Sequence, residues 1–228
     1  MQILKSLSLS TALALFLVHG VAAETYATIT VTGEGIVETN PDQATISLGV
    51  TTNADTAVAA LAANSDAMTK MMEQLKAAGI ATTDLQTSNL SLNPNWSGYD
   101  STSTPAIAGY IASNMLNVRV RDLDALGTIL DAAVSDGANT MNGITFGLAA
   151  PNPVMDEART RAVADATSRA TVLAMAAGVK LGPIVNITEG GTFPGPAPMF
   201  RADSAAVPIA TGDLAMTSTV TVTFEITE

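Results

Sequence analysis

The sequence predicts an α+β fold: two similar strand-helix-strand-strand units, pseudo-duplicated, with long helices packed on a mostly antiparallel sheet. Three observations predict it. A helix punctuated at both ends runs from 152 to 178. Several segments alternate apolar side chains with threonines at a period of two. The order strand, long helix, strand, long loop, strand occurs twice along the chain.

The chain opens with Lys5, an apolar run over 7–18 and Val21-Ala22-Ala23 before Glu24, the three parts of a secretory signal. Residues 1–23 are therefore expected to be a cleaved leader and 24–228 a single domain made of two similar halves. The apolar run is too short for a bilayer core that needs about 20 residues, so no transmembrane segment is expected in the mature chain. Ile29 and Val31 alternate with threonines, as do Ile46, Leu48 and Val50, which predicts two half-buried strands. Between them lies Gly33-Glu34-Gly35. A dinucleotide loop would place a third glycine at Glu38 and follow it with a helix, so the glycines are read as a bulge or bend.

Over 53–78, Val58, Leu61, Met68, Met72 and Leu75 recur at helical spacing and Gly79 ends the element. Met68, Met71 and Met72 fit core filling better than an adaptable binding surface. Leu85, Leu90 and Leu92 suggest a strand running into a loop, Asn93-Pro94-Asn95-Trp96-Ser97-Gly98-Tyr99. A strand over 109–120, a short amphipathic helix over 122–134 and a strand through Ile144, Phe146 and Leu148 follow. In the long helix, Asn152 is the expected N-cap, Pro153 suits the first turn and Gly178 the position past the last. Ala158, Ala162, Ala166, Ala170, Leu173 and Ala177 form its small-residue face. Glu157, Arg161, Asp165 and Arg169 alternate in sign every four residues, a ladder that helical spacing explains as a solvated face. Gly182-Pro183 is read as a tight turn before a strand carrying Ile184, Val185 and Ile187. Residues 190–212 form a long irregular excursion around Phe193, Met199, Phe200 and Arg201. The last strand alternates Val220, Val222, Phe224 and Ile226 with threonines.

Composition removes whole classes of chemistry. There is no cysteine, and the one histidine, His19, lies in the leader, so the mature chain lacks the commonest general base and transition-metal ligand. Ten basic against 21 acidic residues give a net charge of −11, or −12 once Lys5 leaves, which opposes binding to nucleic acid or anionic lipid. Asp122 and Asp124 come nearest to a calcium or manganese site, and a helix start explains them more simply. No cofactor, metal or catalytic residue is expected.

Gly33-Glu34-Gly35 with Pro41-Asp42-x-Ala44, Gly109-Tyr110, Arg121-Asp122-Leu123-Asp124, Gly137-Ala138-Asn139 with Gly143-Ile144-x-Phe146, and the helix from Ala158-Arg159 to Ala177-Gly178-x-x-Leu181-Gly182 together resemble the SIMPL domain family, in its bacterial periplasmic immunogenic protein branch. The order of these motifs carries the resemblance, which spans nearly the whole mature chain. It implies an exported envelope protein of the periplasm, without assigned catalysis, that forms homo-oligomers, ring or channel-like assemblies among them, and is associated with oxidative-stress tolerance. Peripheral association with the outer membrane fits the same picture. A eukaryotic signalling adaptor belongs to the same family, a role the leader argues against.

The functional expectation is a non-enzymatic protein that acts by self-association and partner binding. Trp96, Tyr99, Phe193, Met199 and Phe200 are the candidate interaction residues, because aromatics on long loops favour interfaces. The alternatives are a carboxylate-based periplasmic hydrolase, which needs two acids of separated pKa in one cleft, and an adaptor-like interaction module.

Overall fold

Threonine alternating with valine, leucine or isoleucine favours a pleated surface buried on one side, and most strands here are of that kind. A computed structural model describes residues 27–98, 104–135, 137–190, 197–199 and 210–228. In chain order the elements are β1 (Thr28–Thr39), β2 (Gln43–Ala54), α1 (Ala57–Ala77), β3 (Leu85–Ser97), β4 (Ala106–Val120), α2 (Leu126–Ser135), β5 (Thr140–Gly147), α3 (Asn152–Ala177), β6 (Lys180–Glu189), β7 (Ala197–Met199) and β8 (Asp213–Thr227). The fold class is α+β, as the sequence predicts. Every strand pair is antiparallel.

The strands form two sheets. The first has the order β3-β4-β2-β5 and the second β1-β8-β6, with β7 also pairing with β8. In each, the helix and its following strands repeat one plan: α1-β3-β4 and α3-β6-β8 both place the later strand at the centre. The third position is filled differently. β2, which precedes α1, flanks β4, but β5, which precedes α3, joins the first sheet, and β1 takes its place beside β8.

Each sheet has its own core. α1 and α2 cover the first, where Ile46, Leu48, Val50, Leu116, Val118 and Val120 meet Met68, Met71, Leu75, Ile129 and Leu130. α3 covers the second through Ala162, Ala166 and Ala170 against Val31, Val220, Val222 and Phe224. The α1 face differs from the spacing-based expectation. Its buried residues are Ala60, Asn64, Met68, Met71 and Leu75, while Val58 is 80% exposed. Asn64 lies where an apolar residue is expected because its Nδ2 donates to the carbonyls of Val50 at 2.8 Å and Ala112 at 3.1 Å, tying the helix to two strands. The methionines Met68 and Met71 fill the core.

Three further expectations are corrected. β1 runs through Gly33-Glu34-Gly35 in unbroken register with β8, so there is no bulge. A Cβ on Gly33 or Gly35 would press on the α3 backbone at Ala158, Ala162 and Ala166 inside 3.0 Å. Glycine on the strand and alanine on the helix together remove the side-chain layer that normally separates helix from sheet. Asn152 is the first helical residue rather than the cap; Pro151 holds the cap position and no side chain bonds there. Gly178, by contrast, takes the left-handed conformation at φ 72°, and its amide donates to Met175. Gly182-Pro183 lies inside β6, at a register shift between Leu181 and Ile184, and not in a turn.

Candidate functional site

A sheet edge carries unpaired amides and carbonyls, so each edge must be blunted or used. The two sheets have edges at β1, β6, β3 and β5, and they are treated differently.

The β1 edge is closed by α3. Arg169 Nη1 donates to the Thr32 carbonyl at 3.0 Å, Asp165 Oδ2 accepts from the Glu34 amide at 2.9 Å, and Arg161 Nη1 donates to the Ile36 carbonyl at 2.8 Å. Four residues of helix rise about 6.0 Å and two residues of strand about 6.8 Å, so the two rows stay in step over three contacts. The alternation of sign along the helix matches the alternation of acceptor, donor, acceptor along the strand. The ladder pairs of Glu157 with Arg161 at 3.0 Å and Asp165 with Arg169 at 2.8 Å are present as well. The Glu34 amide, with the Arg169 charge added, holds the Asp165 carboxyl below its ordinary value. The ladder is therefore not merely solvated: it satisfies the outward backbone of an edge strand.

Among the described residues, the β3 edge has no such cover. Leu85–Ser97 contains no Asp, Glu, Lys or Arg over 13 residues, and Pro94 is its one edge-blunting residue. Leu90 is 58% exposed, Leu92 41% and Trp96 44%. Leu90 and Leu92 stand opposite Asn114 and Ala112, and Trp96 pairs with Ile107, itself exposed. β6 also exposes Ile184, Val185 and Ile187 and, like β3, has two register shifts, but it carries the charges of Lys180 and Glu189 at its ends. β5 is shorter, at eight residues, with a register shift opposite Ser47 and Leu48.

Of the predicted interaction residues, Trp96 lies on a strand and not in a loop, because β3 continues through Asn93-Pro94-Asn95 with a register shift at Trp96. Met199 ends β7, paired with Asp213. Tyr99, Phe193 and Phe200 fall outside the described residues.

One charged cluster escapes a reading of the sequence. After α1, the 3-10 turn Thr82–Asp84 directs the Asp84 carboxylate, only 6% exposed, at two β4-end arginines. Arg121 binds both its oxygens, Nε to Oδ2 at 2.9 Å and Nη2 to Oδ1 at 2.8 Å, and Arg119 Nη1 lies 3.6 Å from Oδ1. The Arg121 hydrogen bonds, reinforced by both guanidinium charges, hold the Asp84 carboxyl below its ordinary value against the opposing pull of burial. An acid held ionised in this way is an anchor and not a proton donor. The one sequence signal is two arginines two residues apart at the end of a strand. Asp122 and Asp124 form a local turn, Asp122 Oδ1 accepting from the Asp124 amide at 3.1 Å. Among the described residues, no three acidic or histidine side chains are grouped to hold a metal ion, and no helix is long and apolar enough to cross a membrane.

The chain is similar in sequence to known proteins along most of its length. The sequence model of SIMPL, described as a protein of unknown function (DUF541), matches residues 29–224, from β1 to β8. The chain is 41% identical over 212 residues to the 26 kDa periplasmic immunogenic protein of Brucella melitensis, covering 88% of this chain and 85% of that one. The Brucella abortus protein of the same name matches equally, at 41% over 88% of this chain and 85% of its own. The uncharacterized protein YggE of Escherichia coli K12 is 31% identical over 182 residues, 78% of this chain and 73% of its own.

Proposed function

The chain belongs to the SIMPL family, and from that premise we propose that it is an exported periplasmic protein that works by self-association and partner binding, without turning over a substrate. The observation that carries the reading is the β3 edge: 13 uncharged residues with Leu90, Leu92 and Trp96 open to solvent, in a protein that closes its β1 edge with three side chains. An unguarded apolar edge is a docking strand or an aggregation site, and a chain that guards one edge so closely leaves another open for use. Pairing of β3 with β3 of a second copy gives a two-fold dimer. Pairing of β3 with a different edge of the next copy propagates, into a ring where the rotation between copies closes and into an open filament where it does not. The periplasmic setting is supported by the Brucella relatives, whose names place them there.

The chain has no cysteine, so a single Ser91→Cys variant reports on this edge alone. Oxidation of the assembled protein is expected to give a disulfide-linked pair for β3-to-β3 docking. For docking on another edge, Ser91→Cys combined with Val185→Cys or Met141→Cys is expected to link. Assembled protein that links through none of these refutes edge pairing. The association with oxidative-stress tolerance and the peripheral contact with the outer membrane rest on the family resemblance. Peroxide survival of a deletion strain tests the first, and fractionation of washed membranes the second.

A further inference from the structure

We propose that the niche around Arg119, at the end of the first sheet, binds a small monocarboxylate with a short apolar tail. Arg119 lies on β4 opposite Thr45, between Val118 and Val120, which point into the core. Its side chain is therefore on the helix-free face. Because Arg121 already engages both Asp84 oxygens, Arg119 is left with a single contact at 3.6 Å, longer than a hydrogen bond. The two guanidinium groups offset Asp84 and Asp122, so this spot is close to neutral in a chain of net charge −11, and Arg119, on the side away from Asp122, is where an anion meets least repulsion.

The surroundings suit a carboxylate. Thr45, Thr83, Gln86 and Asn117 line a cavity of about 110 Å³ together with Arg119 and Asp84. None of these four side chains makes a hydrogen bond within the described residues, so their hydroxyl and amide donors are available beside the fork of the arginine. Arg119 also borders a second hollow of about 490 Å³, whose accessible apolar walls are Ala78, Ala81 and Ala125. A carboxylate on Arg119 can thus place an alkyl chain against apolar wall. Asp122 lines the same hollow and repels a second negative charge, which selects a monocarboxylate over a dicarboxylate. The niche is on a different part of the sheet from the exposed Leu90, Leu92 and Trp96, and the inference does not depend on self-association.

The test is titration of the processed protein with butyrate at neutral pH, followed by NMR of the side-chain amides of Gln86 and Asn117 and the Arg119 Nε–H. Butanol and succinate serve as comparisons at matched ionic strength. Saturable shifts confined to these groups are expected with butyrate, weaker shifts with succinate and none with butanol. Arg119→Gln is expected to weaken binding by roughly tenfold or more, since it removes a charge-assisted pair. Should Arg119→Gln perturb the fold, Thr83→Val leaves the Asp84–Arg121 pair in place and is expected to weaken binding by about threefold. Non-saturating shifts, equal response to butanol, or unchanged affinity in both variants overturns the proposal.

Discussion

Replacing Gly35 by alanine probes the contact that seats α3 on the second sheet. The new Cβ would lie 2.5 Å from the Ala162 amide nitrogen and 2.9 Å from Arg161 Cβ, where ordinary contact begins at 3.4 Å. The obstructing atoms include helix backbone, with the Ala158 carbonyl oxygen nearer still, so no rotamer change relieves them and the helix must retreat by at least 0.9 Å, the difference between 3.4 and 2.5 Å at the Ala162 nitrogen. A gap of 0.5–1 Å forfeits about a quarter to a half of each dispersion contact it opens. The same retreat stretches the Arg161 bond to Ile36, now 2.8 Å, beyond hydrogen-bonding range. Overpacking of this kind costs about 1–3 kcal/mol, and backbone obstruction places Gly35→Ala at the upper end. In a domain of this size each kcal/mol moves Tm by about 2–4 °C, so a fall of roughly 5–10 °C is expected. Gly127→Ala is the internal control. That glycine lies in α2 with no neighbouring atom within 4 Å of where the new methyl would sit, and the change is expected to stabilise by about 0.5–1 kcal/mol. Urea unfolding of both variants measures the pair. Gly35→Ala within about 0.5 kcal/mol of the native protein would refute close packing as the reason for glycine there.

Other expectations follow from the same geometry. Arg161→Ala with Arg169→Ala uncovers the Thr32 and Ile36 carbonyls and is expected to raise light scattering on concentration, with little loss of helix by circular dichroism; an unchanged solution would show the ladder is not an edge guard. Asn64→Ala removes two buried hydrogen bonds that tie α1 to β2 and β4 and is expected to cost about 1–3 kcal/mol in denaturant unfolding. Asp84 and Asp165 both have folded pKa values below their unfolded ones, so their stabilisation is complete above about pH 4 and is lost as pH falls from there through the folded values. Asp84→Asn is accordingly expected to flatten the acid limb of a stability-against-pH curve, and an unaltered limb would contradict the assignment.

The strands with clean period-two alternation, β1, β2 and β8, are legible in the sequence because one face is buried and the other bathed in hydroxyls. The alanine face of α3 is legible for the same reason at period 3.6. Asn64 is not, because a polar residue at a core position becomes intelligible only when the carbonyls of Val50 and Ala112 are seen above it. The role of Gly33 and Gly35 is hidden because local rules offer a bulge, while the actual constraint comes from a helix some 130 residues away. The ladder misleads in the same direction: i to i+4 pairing explains its charges fully, and nothing local points to Thr32, Glu34 and Ile36. Local rules also put Trp96 in a loop because Asn-Pro-Asn suggests a turn, although proline on an edge strand sacrifices only an outward amide.

The most direct test of the account is the mass of the chain over residues 24–228 in solution at tens of micromolar, measured by light scattering beside a Leu90→Lys, Leu92→Lys variant. The account predicts an assembly for the native chain and a folded monomer for the variant, since two lysines on β3 would have to lose their hydration against whichever edge docks there. A native monomer, or an assembly of unchanged mass in the variant, would contradict it.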